Sequence, residues 1–257
     1  MSEQTKNLTR ARQLEGRACF SRFGDSTKTE QALGLPPPGV FQLTKPRDQC
    51  KIGSMALLDW IAPDHELRLT GERIRLRPHR SADFAEWADL RARSRAFLQP
   101  WEPIWPADDL TRSAWRRRLT AYFQDMDRGL AYPLLVFREL DNALVGGITL
   151  SNVRRGVAQM GSIGYWIGQP FARQGFTVAA VRSVVEFSFG KLGLHRVEAA
   201  CLPSNEPSRG VLLKAGFTQE GLARAYLRIN GNWRDHLLFG QVSRGPASAM
   251  RDEDVRI

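Results

Sequence analysis

Residues 161–177 read GSIGYWIGQPFARQGFT. An apolar run carrying Gly161, Gly164 and Gly168 passes through Pro170 into a second turn, and Gly175 opens a long apolar segment. The pattern predicts a strand, a loop and the first turn of a helix. The first amides of a helix have no partner within it and the dipole there is positive, so such a junction offers a phosphate-sized hole.

Towards the C-terminus, residues 175–191 carry Val181, Val184, Val185 and Phe189 at helical spacing. HRVEAACLP (195–203) then reads as a buried strand. Ser204 and Asn205 begin a helix over 205–216, with Pro207 in its tolerant first turn and Gly216 at its end. YLRI and WRDHLLFGQV flank Asn230-Gly231, the residue pair preferred in a two-residue type I′ hairpin. Residues 244–257 are polar and read as a frayed tail.

Towards the N-terminus, VAQMGSIGYWIG, ALVGGITLSNV and AYPLLVFREL read as three strands, the last two joined by the turn Asp141-Asn142. Their short connections make them antiparallel. Residues 111–129 predict a helix with Trp115, Leu119, Tyr122, Phe123 and Met126 on one face and Gly129 as its stop. AFLQPWEPIWP (96–106) is a rigid aromatic loop that packs over either the core or a substrate. SADFAEWADLRARS (81–94) is a helix capped by Ser81, with Phe84, Trp87, Ala88 and Leu90–Arg91 along its apolar stripe. LRLTGERIRLR (67–77) alternates like one half-buried strand, ended by Pro78. The order is that of a mixed α/β domain around a central sheet.

Residues 1–54 show no lasting period, and LGLPPPGVF interrupts whatever would form there. A disordered extension is expected over 1–54, with Met55 as an alternative start, then a linker over 55–65, a folded domain over 66–243 and a flexible tail over 244–257. The chain carries a formal charge of +10, of which residues 1–54 supply +4. That balance suits acidic, nucleic-acid-rich or polyphosphate partners as well as a plain basic surface. No apolar run approaches the roughly 18–20 residues of a membrane span, and the N-terminus lacks the apolar core of a signal peptide. A cytoplasmic protein with no membrane contact is expected. The odd, scattered cysteines (19, 50 and 201) suit a reducing compartment, and the four histidines (65, 79, 195 and 236) have no ligand spacing, so no metal is expected.

Four pieces carry a resemblance: AFLQPWEP at 96–103, YWIGQPFARQGFT at 165–177, NEPSRGVLLKAGF at 205–217 and YLRINGNWRDHLL at 226–238. Over about residues 66–243 the chain resembles the GNAT acyl-CoA-dependent N-acetyltransferases, and within them the RimJ/RimL branch that acetylates ribosomal-protein N-termini, RimJ most closely. The resemblance implies the GNAT fold, α/β (α+β): a mixed, mostly antiparallel twisted sheet split by a V-shaped gap, with helices on both faces. The family's Gln/Arg-x-x-Gly-x-Gly/Ala motif maps to Ala172-Arg173-Gln174-Gly175-Phe176-Thr177. Its backbone amides would bind the pyrophosphate of acetyl-CoA, with Thr177 adding a hydroxyl and Arg173 a charge-assisted contact. Ala172 and Thr177 depart from the usual residues and Gly175 matches. The resemblance further implies that Tyr165, Trp166 and Ile167 lie on a strand splayed from 195–203, leaving an edge for the pantetheine arm. Asn205 would hold that arm or simply cap its helix, and Ser208 would protonate the leaving thiolate.

The implied reaction is direct attack of a neutral amine on the thioester. A carboxylate that some relatives carry before Tyr226 is replaced here by Ala225. The candidate bases are Glu102, Glu198 and Asp235, Glu102 being equally able to attract the substrate ammonium. A backbone amide near Ile167 would meet the oxyanion. The expected acceptor is the N-terminal α-amine of a ribosomal protein beginning with alanine or serine, with ribosome association, the enzyme being a monomer or homodimer. A small-molecule amine acetyltransferase and a ribosome- or RNA-binding assembly factor that retains the fold are the alternatives.

Overall fold

The computed structural model describes residues 67–245. The extension expected over 1–54, the linker over 55–65 and the tail beyond residue 245 lie outside the described residues. Among the described residues eight strands form one sheet: β1 (Leu69–Gly71), β2 (Ile74–Pro78), β3 (Tyr132–Arg138), β4 (Leu144–Arg154), β5 (Met160–Ile167), β6 (Arg196–Cys201), β7 (Thr218–Ile229) and β8 (Asn232–Val242). Their order is β1-β2-β3-β4-β5-β6-β8-β7. Every neighbouring pair is antiparallel except β5 and β6. Five helices flank it: α1 (Phe84–Arg93), α2 (Arg95–Leu98), α3 (Arg112–Asp127), α4 (Phe176–Gly190) and α5 (Glu206–Lys214).

Helices cover both faces, which is why β3 reads as an unbroken apolar run. Leu134 and Val136 point into a core with Phe176, Val181 and Val184 of α4, Leu212 of α5 and Phe239. Leu135 and Phe137 point the other way, into a second core with Trp87 and Leu90 of α1 and Trp115 and Leu119 of α3.

The expected turns form as read. Asn142 has φ +60°, and Asn230 and Gly231 have φ +45° and +82°, the paired positive values of a type I′ turn. Asn205 caps α5, its Oδ1 accepting from Ser208 N at 3.1 Å.

Three local expectations are corrected. LRLTGERIRLR is not one strand but the hairpin β1–β2, turning at Glu72-Arg73 with Arg73 at φ +61°. The sign was in the spacing: the apolar positions are 67 and 69, then 74 and 76, so the period of two slips between them. Ser81 does not cap the first helix. It lies in a 3₁₀ turn, Ser81–Asp83, and the buried Asp83 carboxylate accepts from Arg80 N at 2.7 Å and pairs with Arg77 at 2.6 Å. The last hairpin is longer than its apolar signal, since β7 begins at Thr218. It is the sheet's edge and almost wholly exposed, so solvation leaves it polar. The aromatic loop also contains the short α2 and a 3₁₀ turn, Gln99–Trp101.

Candidate active site

The sheet opens between its two parallel strands. Met160–Ile163 of β5 pair with Arg196–Ala199 of β6, and the pairing ends there. Gly164–Ile167 stay paired with β4 on one side, while β6 runs on along β8 through Cys201. Tyr165, Trp166 and Ile167 therefore flank a gap whose β6 side carries no strand. A β-carbon at Gly164 would meet nothing within 4 Å.

At the end of β5, Gly168 N donates to Val145 O at 2.8 Å and Gln169 N to the buried Ser94 Oγ at 2.9 Å. A 3₁₀ turn, Gln169–Phe171, follows. Arg173 and Gly175 then adopt positive φ, +62° and +87°, and α4 begins at Phe176. These reversals leave the first amides of α4 without helical partners. The exposed Gln174 amide folds back on its own loop, Nε2 donating to Pro170 O at 2.9 Å, so its side chain braces the loop. Trp166, Ile167, Phe176 and Thr177 line one small recess with Tyr165 at the foot of the gap. The Phe176 ring is core, leaving its backbone to the loop.

Asn205 and Ser208 sit at the start of α5. The Ser208 Oγ is 2.9 Å from the Tyr165 hydroxyl. Burial holds the Tyr165 phenol above its ordinary pKa, so it stays protonated, although the Ser208 hydrogen bond works the other way. Cys201 is close by, its thiol likewise pushed up by burial.

Tyr165 and Trp166 also line a cavity of about 500 Å³. Residues of α1, α3 and β4 and loop residues 102–106 line it too, together with His79, Asp109 and Leu134 of β3. Glu102 lines it with both oxygens engaged: Arg91 Nη1 and Nη2 donate to Oε1 and Oε2, each at 2.7 Å, and Trp105 Nε1 donates to Oε2 at 2.7 Å. The buried Arg91 guanidinium lies 4.1 Å from the centre of the Trp105 ring and 5.0 Å from that of Trp166. Asn230 N donates to Glu102 O at 3.0 Å, so the tip of the β7–β8 hairpin is tied to the same residue. The second acid of the cavity, Asp109, pairs with Arg118 at 2.6 Å. His79 is buried beside Trp115 and Tyr122, and desolvation lowers its pKa to about 3, partly opposed by Asp83, so the ring is neutral.

The other candidate bases are elsewhere. Glu198 pairs with Arg196 at 2.9 Å, and Asp235 accepts from Ala225 N at 2.8 Å within the β7–β8 bulge. Neither lines the cavity. The contact of Tyr165 with Ser208 and the role of Arg91 were not read from the sequence. Arg91 had a signal, for it occupies the apolar stripe of α1, where a cation needs a partner. Among the described residues no three His, Cys, Asp or Glu side chains group as a metal site, and no helix is long and apolar enough to cross a membrane.

A family profile described as the acetyltransferase (GNAT) domain matches residues 73–218. The probable N-acetyltransferase YjcK of Bacillus subtilis (strain 168) is 36% identical over 168 residues, 65% of this chain and 93% of that protein. The [ribosomal protein uS5]-alanine N-acetyltransferase of Escherichia coli (strain K12) is 33% identical over 173 residues, 67% of this chain and 89% of its own length. Among solved structures, Mycobacterium smegmatis RimJ in complex with CoA-disulfide superposes with a TM-score of 0.64 at 32% identity, covering 68% of this chain and 86% of that one.

Proposed function

The chain belongs to the GNAT acetyltransferases and is an acetyl-CoA-dependent N-acetyltransferase of the RimJ type; from this we propose that its acceptor is the N-terminal α-amine of a ribosomal protein beginning with alanine or serine. The name of the Escherichia coli relative supports a ribosomal-protein acceptor, and with it a cytoplasmic site of action.

The observation that supports an α-amine most is the charge balance of the cavity. Its two acids, Glu102 and Asp109, are each already paired with an arginine, and His79 is neutral. Among the described residues, an ammonium group entering there meets no unpaired carboxylate. An α-amine, with a reference pKa of about 7.7–8.0, is roughly one-sixth to one-third neutral near pH 7.3, against about a thousandth for a lysine near 10.4. A cavity with no spare base or counter-charge therefore favours the amine that sheds its proton to water unaided.

The pantetheine arm of acetyl-CoA fits the unpaired edge of Gly164–Ile167, whose backbone groups otherwise lack a strand partner on that side. The amides around Gly175 would take its diphosphate, braced by Gln174, with Arg173 and Thr177 at the rim and Asn205 at the arm. The amine nitrogen attacks the thioester carbon, with the backbone near Ile167 meeting the oxyanion. The C–N bond forms, the C–S bond breaks, the nitrogen proton passes to water, and the sulfur takes a proton from Ser208, whose hydroxyl is restored by the proton released to water. With the Tyr165 hydroxyl donating to Ser208 Oγ, 2.9 Å away, the serine proton would be left to turn towards the sulfur. Glu102 shapes the acceptor wall.

The test is incubation with acetyl-CoA and a peptide panel, read by thiol release and mass spectrometry. Peptides with free N-terminal alanine or serine should be acetylated. Modification of a lysine in an N-terminally blocked peptide, or of free amino acids and small amines in preference, would overturn the reading.

A further inference from the structure

The β1–β2 turn brings an arginine to the cofactor loop from a distant part of the chain. Arg73 Nη2 donates to Gln174 O at 2.9 Å, and the place a β-carbon would take on Gly175 is 3.5 Å from the same nitrogen. Its guanidinium also lies 5.4 Å from the Phe176 ring centre. We propose that Arg73 is a phosphate-binding residue of this enzyme, contacting the diphosphate of acetyl-CoA where it lies against the start of α4. The proposal rests on the cofactor placement given above.

Three observations carry it. First, the turn is held in place: Ser183 of α4 donates to Thr70 O at 2.8 Å, and a β-carbon on Gly71 would come within 2.5 Å of that serine oxygen. The hairpin is thus docked closely on the helix whose start receives the diphosphate. Second, Arg73 has φ +61° at the second central position of a two-residue turn, where glycine or asparagine is the unstrained choice. The turn carries an arginine although its backbone favours another residue. Third, the planar guanidinium has five donors in a fork that matches phosphate oxygens. The nearby Glu72 carboxylate is 3.9 Å from Nε, and both side chains are largely exposed, so that pair is weak and yields to a phosphate.

Arg73→Gly is the informative variant, because glycine suits the turn and removes only the side chain. Calorimetric titration of the full chain with CoA, dephospho-CoA and pantetheine separates the contacts. Affinity for CoA and for dephospho-CoA, which keeps the diphosphate, should fall about tenfold, the loss of a charge-assisted hydrogen bond in a partly exposed site. Pantetheine affinity should be unchanged, and the melting temperature of the unliganded protein should hold or rise. An equal loss for pantetheine would mean that Arg73 only shapes the loop, and unchanged CoA affinity would remove it altogether; either overturns the proposal. A loss confined to CoA would transfer Arg73 to the 3′-phosphate and also overturn it. If the unsubstituted protein bound CoA no better than pantetheine, the diphosphate site itself would fall, and the proposal with it.

Discussion

Glu102→Gln separates two roles that a carboxylate in an acceptor cavity can have. As a general base, Glu102 would contribute a factor of about 10²–10⁴ to turnover. As the residue that fastens loop 99–110, it would contribute chiefly to stability and to acceptor binding. Its geometry favours the second role: it accepts three N–H bonds of 2.7 Å, two of them from Arg91. The side chains of Arg91 and Glu102 are 10% and 19% exposed. Removing one partner of a buried pair costs about 3–5 kcal/mol. Glutamine keeps one acceptor for the guanidinium and stays partly wet, so about 2–3 kcal/mol is expected here. For a domain of this size that is a fall in melting temperature of about 4–12 °C. Scanning calorimetry should find it, and steady-state kinetics should show a raised KM for peptide, an unmoved KM for acetyl-CoA and a turnover within about tenfold of the parent. Replacing both partners with apolar residues, Arg91→Met with Glu102→Leu, should recover much of the melting temperature without restoring peptide affinity. A turnover lowered 100-fold or more at saturating peptide, with an unchanged melting temperature, would refute this reasoning and make Glu102 the base.

Ser208→Ala should lower turnover about 100-fold while leaving the KM for acetyl-CoA in place, and Tyr165→Phe, acting through Ser208, should cost about tenfold; equal turnover in the Ser208 variant would remove that hydroxyl from the chemistry. His79 has a folded pKa of about 3 against 6.5 unfolded, so below pH 6.5 the unfolded chain binds the extra proton. Its contribution is fully present above pH 6.5 and is lost as pH falls towards 3, at up to about 1.4 kcal/mol per pH unit; melts from pH 7.5 to 4 should be visibly flatter for His79→Gln, and parallel curves would contradict the burial argument. Gly146→Ala puts a β-carbon 2.4 Å from Trp166 O, a backbone atom that cannot step aside alone. It should cost about 1–3 kcal/mol and weaken CoA binding, both measurable by calorimetry, and an undisturbed CoA affinity would show that β5 has slack there.

The side of the molecule proposed to hold the cofactor was legible because its signals are local. Glycines, a proline and an apolar helix lie within the span 161–190, and the backbone turns they require are those observed at Gly175 and along Gln169–Phe171. The cavity proposed to take the acceptor is built from residues distant in sequence. Arg91 meets Glu102 only because the aromatic loop folds back on α1, and Asn230 reaches the same loop from the far end of the chain. Nothing in the neighbourhood of His79 announces its burial, which comes from Trp115 and Tyr122 of α3. The long edge strand β7 was half missed for the opposite reason: it is local but solvated, and an exposed strand has no apolar face to display.

The opening in the sheet has a cause in the packing of β4, not merely in the absence of a partner. Gly146 and Gly147 face the end of β5, and β-carbons there would fall 2.4 Å from Trp166 O and 2.5 Å from Trp166 Nε1. Two missing side chains thus let Trp166 and Ile167 press against β4. Gly168 continues the approach, since its own β-carbon would lie 2.5 Å from Leu90 Cδ1 on α1. Bonds from Gly168 N to Val145 O and from Gln169 N to Ser94 Oγ fasten the strand end on that side. β6 meanwhile remains paired with β8 through Cys201. Each strand is committed to its outer neighbour, so closing the gap would break established pairings on one side to make new ones in the middle. The gap is therefore fixed by the strand pairings on either side of it, and the pantetheine arm, placed as proposed, would add its hydrogen bonds to an edge that is already formed.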